Sequence, residues 1–444
     1  MNMSDRRKFI KNTGLAVLGG TAISNLQASP FLIYNRKNPA SDTLRFGAIG
    51  INGMGWTNTR AAINMPNAQL VALCDVDQSV LDKRMGELQG LGVDASKVQT
   101  FKDYRKLLEI KDIDFVIVGT PDHWHPLITI DACKAGKDVY CEKPIANSIG
   151  EVLMMEKAQK KYNRAIQVGQ WQRSQKHFRE AIEYVHSGKL GNVRMVKTWA
   201  FQGWMKPSPK TPATAVPNGI DYDMWQGPAL HRPFKTEHFH FNFRWFWPYA
   251  GGLMCDWGVH IIDYALLGMK ATMPKTVSAL GGKFAYPDLS HETPDTQTTI
   301  YEFDNFLMNW DHALAIDNGP YMRTHGIGFI GNNGTLVLDR AGWEVLEEKG
   351  VKTKVIEPYH AREDNGVQLH MENFANVVRN RKFNELNCPI EAAALVAKVC
   401  QMGNIAYRSQ KKLTWDKSKQ MFTDGAVNKQ YLMNEYRNGY KLEV

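Results

Sequence analysis

A doubly wound α/β fold is what this sequence predicts, on three observations. Between residues 44 and 168 short apolar runs alternate with stretches of helical periodicity. The first run ends in a glycine-rich turn, Gly50-Ile51-Asn52-Gly53-Met54-Gly55. The second ends in an acid, Asp75, 25 residues past Gly50. Strands buried on both faces read as near-continuous apolar runs, and strands alternating with helices imply βαβ units and a parallel sheet with right-handed crossovers.

The elements follow in order. Residues 44–50 are the first predicted strand and 53–64 the first helix; 70–75 and 79–89 are the second pair. Strands at 115–119, 138–142 and 165–168 enclose helices at 126–135 and 149–162. In such a sheet ligands sit at the carboxyl ends of the strands. The first turn resembles the dinucleotide fingerprint G-x-G-x-x-G, with Gly50 and Gly55 in its outer positions and Asn52 in the middle one. Asparagine tolerates left-handed backbone, and Gly53 can restore room beside the pyrophosphate. Asp75, at a strand end, can accept hydrogen bonds from a ribose and would repel a 2′-phosphate, which favours NAD over NADP.

Two more strand ends carry polar clusters where a cofactor would lie. One is Thr120-Pro121-Asp122-His123-Trp124-His125, the other Glu142-Lys143-Pro144. Thr120, Pro121, Trp124, His125, Glu142 and Lys143, with Met54 in the first turn, are therefore expected at the nucleotide. A lysine emerging from a buried strand is suited to proton transfer or to bonding a substrate hydroxyl. Further on, Gly251 and Gly252 open a predicted helix carrying Asp256 and His260 four residues apart, hence on one face. The helix dipole favours an anion near its start. Histidine titrates near neutrality and can take a hydroxyl proton as hydride leaves the same carbon.

These motifs resemble the Gfo/Idh/MocA oxidoreductases, the family of glucose–fructose oxidoreductase and inositol dehydrogenase. The likeness rests on the T-P-D-H-W-H and E-K-P elements and on Gly251–Asp263, and continues to Asn373-Phe374 and Leu413-Thr414-Trp415-Asp416. It implies a Rossmann domain followed by an α/β domain with an open, mostly antiparallel sheet that commonly mediates oligomers, so a dimer or tetramer is expected. It assigns catalysis to Lys143, Asp256 and His260. The expected organisation is a signal at 1–30, an NAD-binding domain at 42–170, a substrate and oligomerisation domain at 171–385, and a C-terminal helix and tail at 386–444 packing back on both.

Residues 199–249 are rich in tryptophan and phenylalanine interleaved with His240, Asn242, Arg244 and Trp245. Aromatic faces stack on sugar rings while such polar groups bond hydroxyls, so these residues are candidate substrate contacts. Gln172 and Arg173 follow the last Rossmann strand and can reach nicotinamide or substrate. A proline-rich stretch at 206–217 reads as an extended arm.

Composition narrows the class. The 444 residues are 43% hydrophobic and 22% charged, which excludes a disordered chain or a disulfide-stapled mini-fold. The net charge is +9, and Arg6, Arg7, Lys8 and Lys11 against Asp5 supply +3 of it, leaving +6. These arginines, followed by a short apolar run, resemble a twin-arginine export signal and predict a periplasmic protein. Cys74, Cys133, Cys141, Cys255, Cys388 and Cys400 form no C-x-x-C pair and read as buried thiols. No run is long enough to span a membrane, no nucleic-acid module is recognisable, and neither His123/His125 nor His238/His240 completes a metal set. The reading is an NAD-dependent oxidoreductase acting on a sugar, glycoside or cyclitol CH–OH with tightly held cofactor. An NAD-dependent glycosidase working through a transient keto-sugar is the alternative, and a non-catalytic nucleotide or sugar sensor the minor one.

Overall fold

The computed structural model describes residues 43–351 and 355–444, and the signal predicted at 1–30 lies outside them. The first half holds β1 (Leu44–Ile49), α1 (Gly53–Ile63), β2 (Ala68–Cys74), α2 (Gln78–Glu87), β3 (Gln99–Phe101), α3 (Tyr104–Leu108), β4 (Phe115–Val118), α4 (His125–Lys134), β5 (Asp138–Cys141), α5 (Ile149–Tyr162) and β6 (Ile166–Val168). The six strands run in the order β3-β2-β1-β4-β5-β6, all parallel. The order reverses between β1 and β4, so their carboxyl ends flank a crevice. β3 had no counterpart in the sequence reading. It is a three-residue edge strand, with Gln99 and Thr100 exposed, and carries no apolar run.

The second half continues with α6 (Lys176–His186), β7 (Met195–Gln202), α7 (Tyr222–Gln226), α8 (Gly252–Asp256) and α9 (Gly258–Gly268). Then come β8 (Thr276–Gly282), β9 (Thr296–Glu302), β10 (Leu307–Leu314), β11 (His325–Ile330), β12 (Gly334–Leu338), β13 (Gly342–Glu347) and β14 (Glu357–Ala361). Last are α10 (Gly366–Asn380), α11 (Ile390–Ser409), β15 (Leu413–Asp416), β16 (Met421–Phe422) and α12 (Gly425–Tyr431). The ten strands, β14-β13-β12-β11-β7-β10-β9-β8-β15-β16, pair antiparallel except for β7 with β10. The fold is thus a Rossmann sheet followed by an α/β domain with a mostly antiparallel sheet.

The late helices return to the first sheet. α10 packs Met371, Phe374 and Val378 on the face that carries Phe46 and Phe115, with Phe374 edge-on to Phe115 at 5.3 Å. α11 lays Ile390, Ala393 and Ala397 against the other face, beside α4 and α5. Beyond α12, Tyr436 bonds the buried Glu151 at 2.7 Å and Tyr440 stands edge-on to Trp124 at 5.5 Å. All six cysteines are buried and unpaired. No helix among the described residues is long and apolar enough to cross a membrane.

Candidate active site

At the carboxyl ends of β1, β2, β4 and β5 lies a cavity of about 410 Å³. The turn from β1 to α1 forms its floor. Gly50 has φ +75°, and a Cβ there would stand 2.6 Å from the Thr120 nitrogen. A Cβ on Gly55 would stand 1.9 Å from the Gly50 carbonyl oxygen. Asn52 departs from expectation: its φ is −95°, and its side-chain oxygen caps α1 by accepting from the Gly53 nitrogen at 3.0 Å. Gly53 takes the positive φ instead, +48°, and a Cβ there would meet nothing within 4 Å. An open helix start is an anion site, which is what a pyrophosphate requires.

Asp75 sits at the crevice with its oxygens accepting from the Ile51 nitrogen (3.0 Å) and the Asp77 nitrogen (3.1 Å). Burial pushes its carboxyl up. Met54, Thr120, Pro121, Trp124 and His125 line the same cavity, and the Thr120 hydroxyl is buried with no partner among the described residues. His125 ties the two polar loops together, its Nδ1 2.6 Å from the Pro144 oxygen and its Nε2 2.7 Å from the Thr120 oxygen. Glu142 accepts from Asn58 Nδ2 at 2.7 Å and from the Lys143 nitrogen at 3.1 Å, steadying the turn that presents Lys143. A glycine cradle, an open helix start, a strand-end acid and an orphaned hydroxyl together fit a dinucleotide.

A charged cluster closes the other end. Lys143 Nζ donates to Asp256 Oδ1 at 2.9 Å and to its main-chain oxygen at 3.0 Å. Arg244 Nη1 donates to the second Asp256 oxygen, its guanidinium lying 4.0 Å from the Phe241 ring centroid. Burial pushes the Asp256 carboxyl up, but Arg244 and Lys143 outweigh it and hold Asp256 well below the usual carboxylate range. Asp122 also lines the cavity, and burial followed by the Asp256 charge drives its carboxyl well above its ordinary value.

His260 departs from the expected geometry. Asp256 is the last residue of α8 and His260 lies in α9, with Trp257 breaking the helix between them. The acid is therefore held by cations rather than by a helix start. His260 Nδ1 faces Gln172 Oε1 at 2.9 Å, so Nδ1 carries the proton and Nε2, which has no hydrogen-bond partner among the described residues, is the basic atom. Burial, then the Lys143 charge, pushes this ring well below its ordinary value, so it is neutral at pH 7.

The remaining expected contacts are dispersed. Arg173 is a buried partner of Asp263, both bonds 2.7 Å. Asn242 reaches the arm, bonding Ser208 at 2.7 Å. Trp245 is 1% exposed, in a small core with Trp225, Phe246 and Tyr249. Most of the aromatic segment thus fills a core, because its large rings pack against one another; only Trp225, Phe241 and Phe243 line the cavity. His240 lines it too, but at the β2 end, where Nε2 meets Asp77 at 2.8 Å. The arm runs to the same place: residues 219–221 pair with 76–78, the Asp221 nitrogen donating to the Val76 oxygen at 2.9 Å. Sequence reasoning missed Asp122 as a member of the charged cluster, and missed Arg340 and His325, whose charges bear on His260. No cluster of three or more histidine, cysteine or acidic residues fit for a metal occurs among the described residues.

Two family models match. "Oxidoreductase family, NAD-binding Rossmann fold" covers residues 44–170, and "Oxidoreductase family, C-terminal alpha/beta domain" covers 178–288; both carry the Gfo/Idh/MocA designation. A glycosyl hydrolase family 109 protein of Shewanella pealeana is 30% identical over 159 residues, which is 33% of this chain and 35% of the relative. The inositol 2-dehydrogenase of Salmonella typhimurium is 28% identical over 208 residues, 45% of this chain and 58% of the relative. The match thus spans about a third of the hydrolase and under two thirds of the dehydrogenase. The aldose-aldose oxidoreductase of Caulobacter crescentus, crystallised with glycerol, superposes with a TM-score of 0.64 over 84% of this chain and 99% of its own, at 19% identity. That likeness is one of fold.

Proposed function

Because the chain belongs to the Gfo/Idh/MocA oxidoreductase family, we propose that it oxidises a CH–OH group of a sugar, glycoside or cyclitol. The carrying observation is the Lys143–Asp256–Arg244 cluster at one end of the strand-end cavity, with His260 near enough to feel the Lys143 charge. When bound, NAD supplies the hydride acceptor. Gly50, Gly53, Met54 and the start of α1 would hold its phosphates, Asp75 its ribose, and Thr120 to His125 the wall beside it. Lys143 donates to the substrate oxygen and steadies negative charge as its proton departs. His260 Nε2 takes that proton, and Gln172 keeps the receiving nitrogen bare. Asp256 fixes the Lys143 ammonium against drift.

The test is to release any nucleotide from purified protein, determine its redox state, and screen sugars for those that change it. The basic, twin-arginine-like start supports export with NAD already aboard, so protein purified without added NAD is expected to absorb near 260 nm as bound nucleotide. Nucleotide-free protein with only weak NAD affinity counts against this reading.

One observation favours a redox-neutral variant. Asp122 is a buried carboxyl lining the same cavity, where burial and the Asp256 charge favour its protonated form, as suits an acid for a departing alcohol. The relatives bearing a glycosyl hydrolase name point the same way. Aryl glycosides distinguish the two: aglycone release without net NADH supports hydrolysis through a keto-sugar, and NADH accumulation supports oxidation.

A further inference from the structure

Arg340 follows β12 in the turn before β13, outside every motif of the sequence. Its guanidinium lies 4.6 Å from the Trp257 ring centroid and 5.1 Å from that of Trp171. Both tryptophans flank His260 edge-on, each with centroids 6.4 Å away. A planar cation between two rings loses rotational freedom and presents its edge in a fixed direction. Yet no carboxylate among the described residues pairs with it, and its Nε is buried with no hydrogen-bond partner. The nearby acids are engaged elsewhere: Asp339 lies 3.1 Å from Arg323, Glu344 also pairs with Arg323, and Asp256 is shared by Lys143 and Arg244. His325 adds a second unmet polar atom. Its ring lies 4.9 Å from Trp257, Nδ1 is engaged by Thr324 at 2.9 Å, and Nε2 is buried without a partner among the described residues.

A half-buried guanidinium whose Nε is left unmet is costly to keep without a partner, and an anion supplied from outside would satisfy it. Burial lowers the guanidinium only to about 10, so it is charged at neutral pH. Asp256 already gives one oxygen to Lys143 and the other to Arg244, so it offers Arg340 no free one. We infer that Arg340, with His325 beside it, receives an anionic oxygen group of the substrate, the carboxylate of a sugar acid or the phosphate of a sugar phosphate. A guanidinium fork matches either with two parallel hydrogen bonds. This rests on the oxidoreductase reading, and it narrows the substrate to an acidic sugar derivative.

The full chain with its nucleotide is titrated with glucuronate, galacturonate and glucose 6-phosphate, and with glucose and galactose as neutral parents. Quenching of tryptophan fluorescence reports occupancy beside Trp171 and Trp257. Absorbance at 340 nm reports turnover separately. At least one anion should bind ten- to a hundredfold more tightly than its parent, the size of a charge-assisted hydrogen bond. Arg340→Gln should bring that ratio close to one, with Arg340→Lys intermediate, while Tm and retained nucleotide show that both variants fold. The uronate and phosphate arms identify which anion is meant. Parents binding as well as every anion, or a preference that survives Arg340→Gln, overturns the inference. Neutral sugars that reduce the nucleotide without any acid preference leave the oxidoreductase reading standing alone. An Arg340-dependent preference with no nucleotide reduction by any sugar removes the oxidoreductase reading and keeps the anion site.

Discussion

At the scale of single residues, two substitutions separate chemistry from binding. Lys143→Met removes the donor at the substrate oxygen while leaving the cradle intact. We expect kcat to fall about 10²- to 10⁴-fold with nucleotide still bound, read at 340 nm and by nucleotide release. An unaffected rate would take Lys143 out of the mechanism. Gly55→Ala does the reverse. Its new Cβ meets the Gly50 carbonyl oxygen at 1.9 Å and the Gly119 Cα at 3.3 Å, backbone atoms that cannot swing aside. It should lower stability by about 1–3 kcal/mol in urea unfolding and weaken nucleotide retention. Residues such as these were legible because each stands at the end of an apolar run, where burial on both faces leaves a plain pattern. Arg340 and His325 were not. They arrive from β11 and the β12–β13 turn, far along the chain from Lys143, and only the antiparallel register brings them beside Trp257. Arg173 shows the converse: a basic residue after the last Rossmann strand looks exposed to ligand, but Asp263, 90 positions on, takes its Nε and Nη2 donors.

At the scale of elements, the interrupted helix governs the site. Asp256 ends α8 and pairs with Lys143, while His260, past the interruption at Trp257, meets Gln172. Local periodicity could not reveal that, because four-residue spacing reads the same whether or not a helix breaks within it. The second element of consequence is the arm. Its pairing of 219–221 with 76–78 and the His240–Asp77 contact at 2.8 Å tie the substrate domain to the β2 end of the cavity. His240→Ala should therefore speed nucleotide release several-fold, about the worth of one hydrogen bond, with little change in kcat. Stopped-flow displacement of bound NADH measures it, and an unchanged off-rate would mean that the His240–Asp77 contact does not retain the nucleotide.

At the scale of the whole molecule, buried histidines tie stability to acidity. His312 and His370 each donate Nε2–H to a main-chain oxygen, of Pro294 and Val168, and burial lowers both rings to about 4. Below pH 6.5 the unfolded chain binds protons at these sites and the native one does not, so their stabilising contribution, full above 6.5, is lost as the pH falls toward 4. His370→Gln should be less stable than the parent at pH 7, and the gap should narrow by up to roughly 3 kcal/mol on going to pH 4. Urea midpoints at the two values check it; a constant gap would show that His370 titrates in the fold as it does in the unfolded chain. The late return of α10 and α11 to opposite faces of the first sheet bears on how the chain is made. When residue 170 leaves the ribosome, the strands that will carry the nucleotide exist, but the helices that cover them are still some two hundred residues away. At about 5–20 residues synthesised per second that interval lasts roughly 10–40 s. Through that interval the nascent sheet lacks the apolar surfaces that α10 and α11 later lay on it.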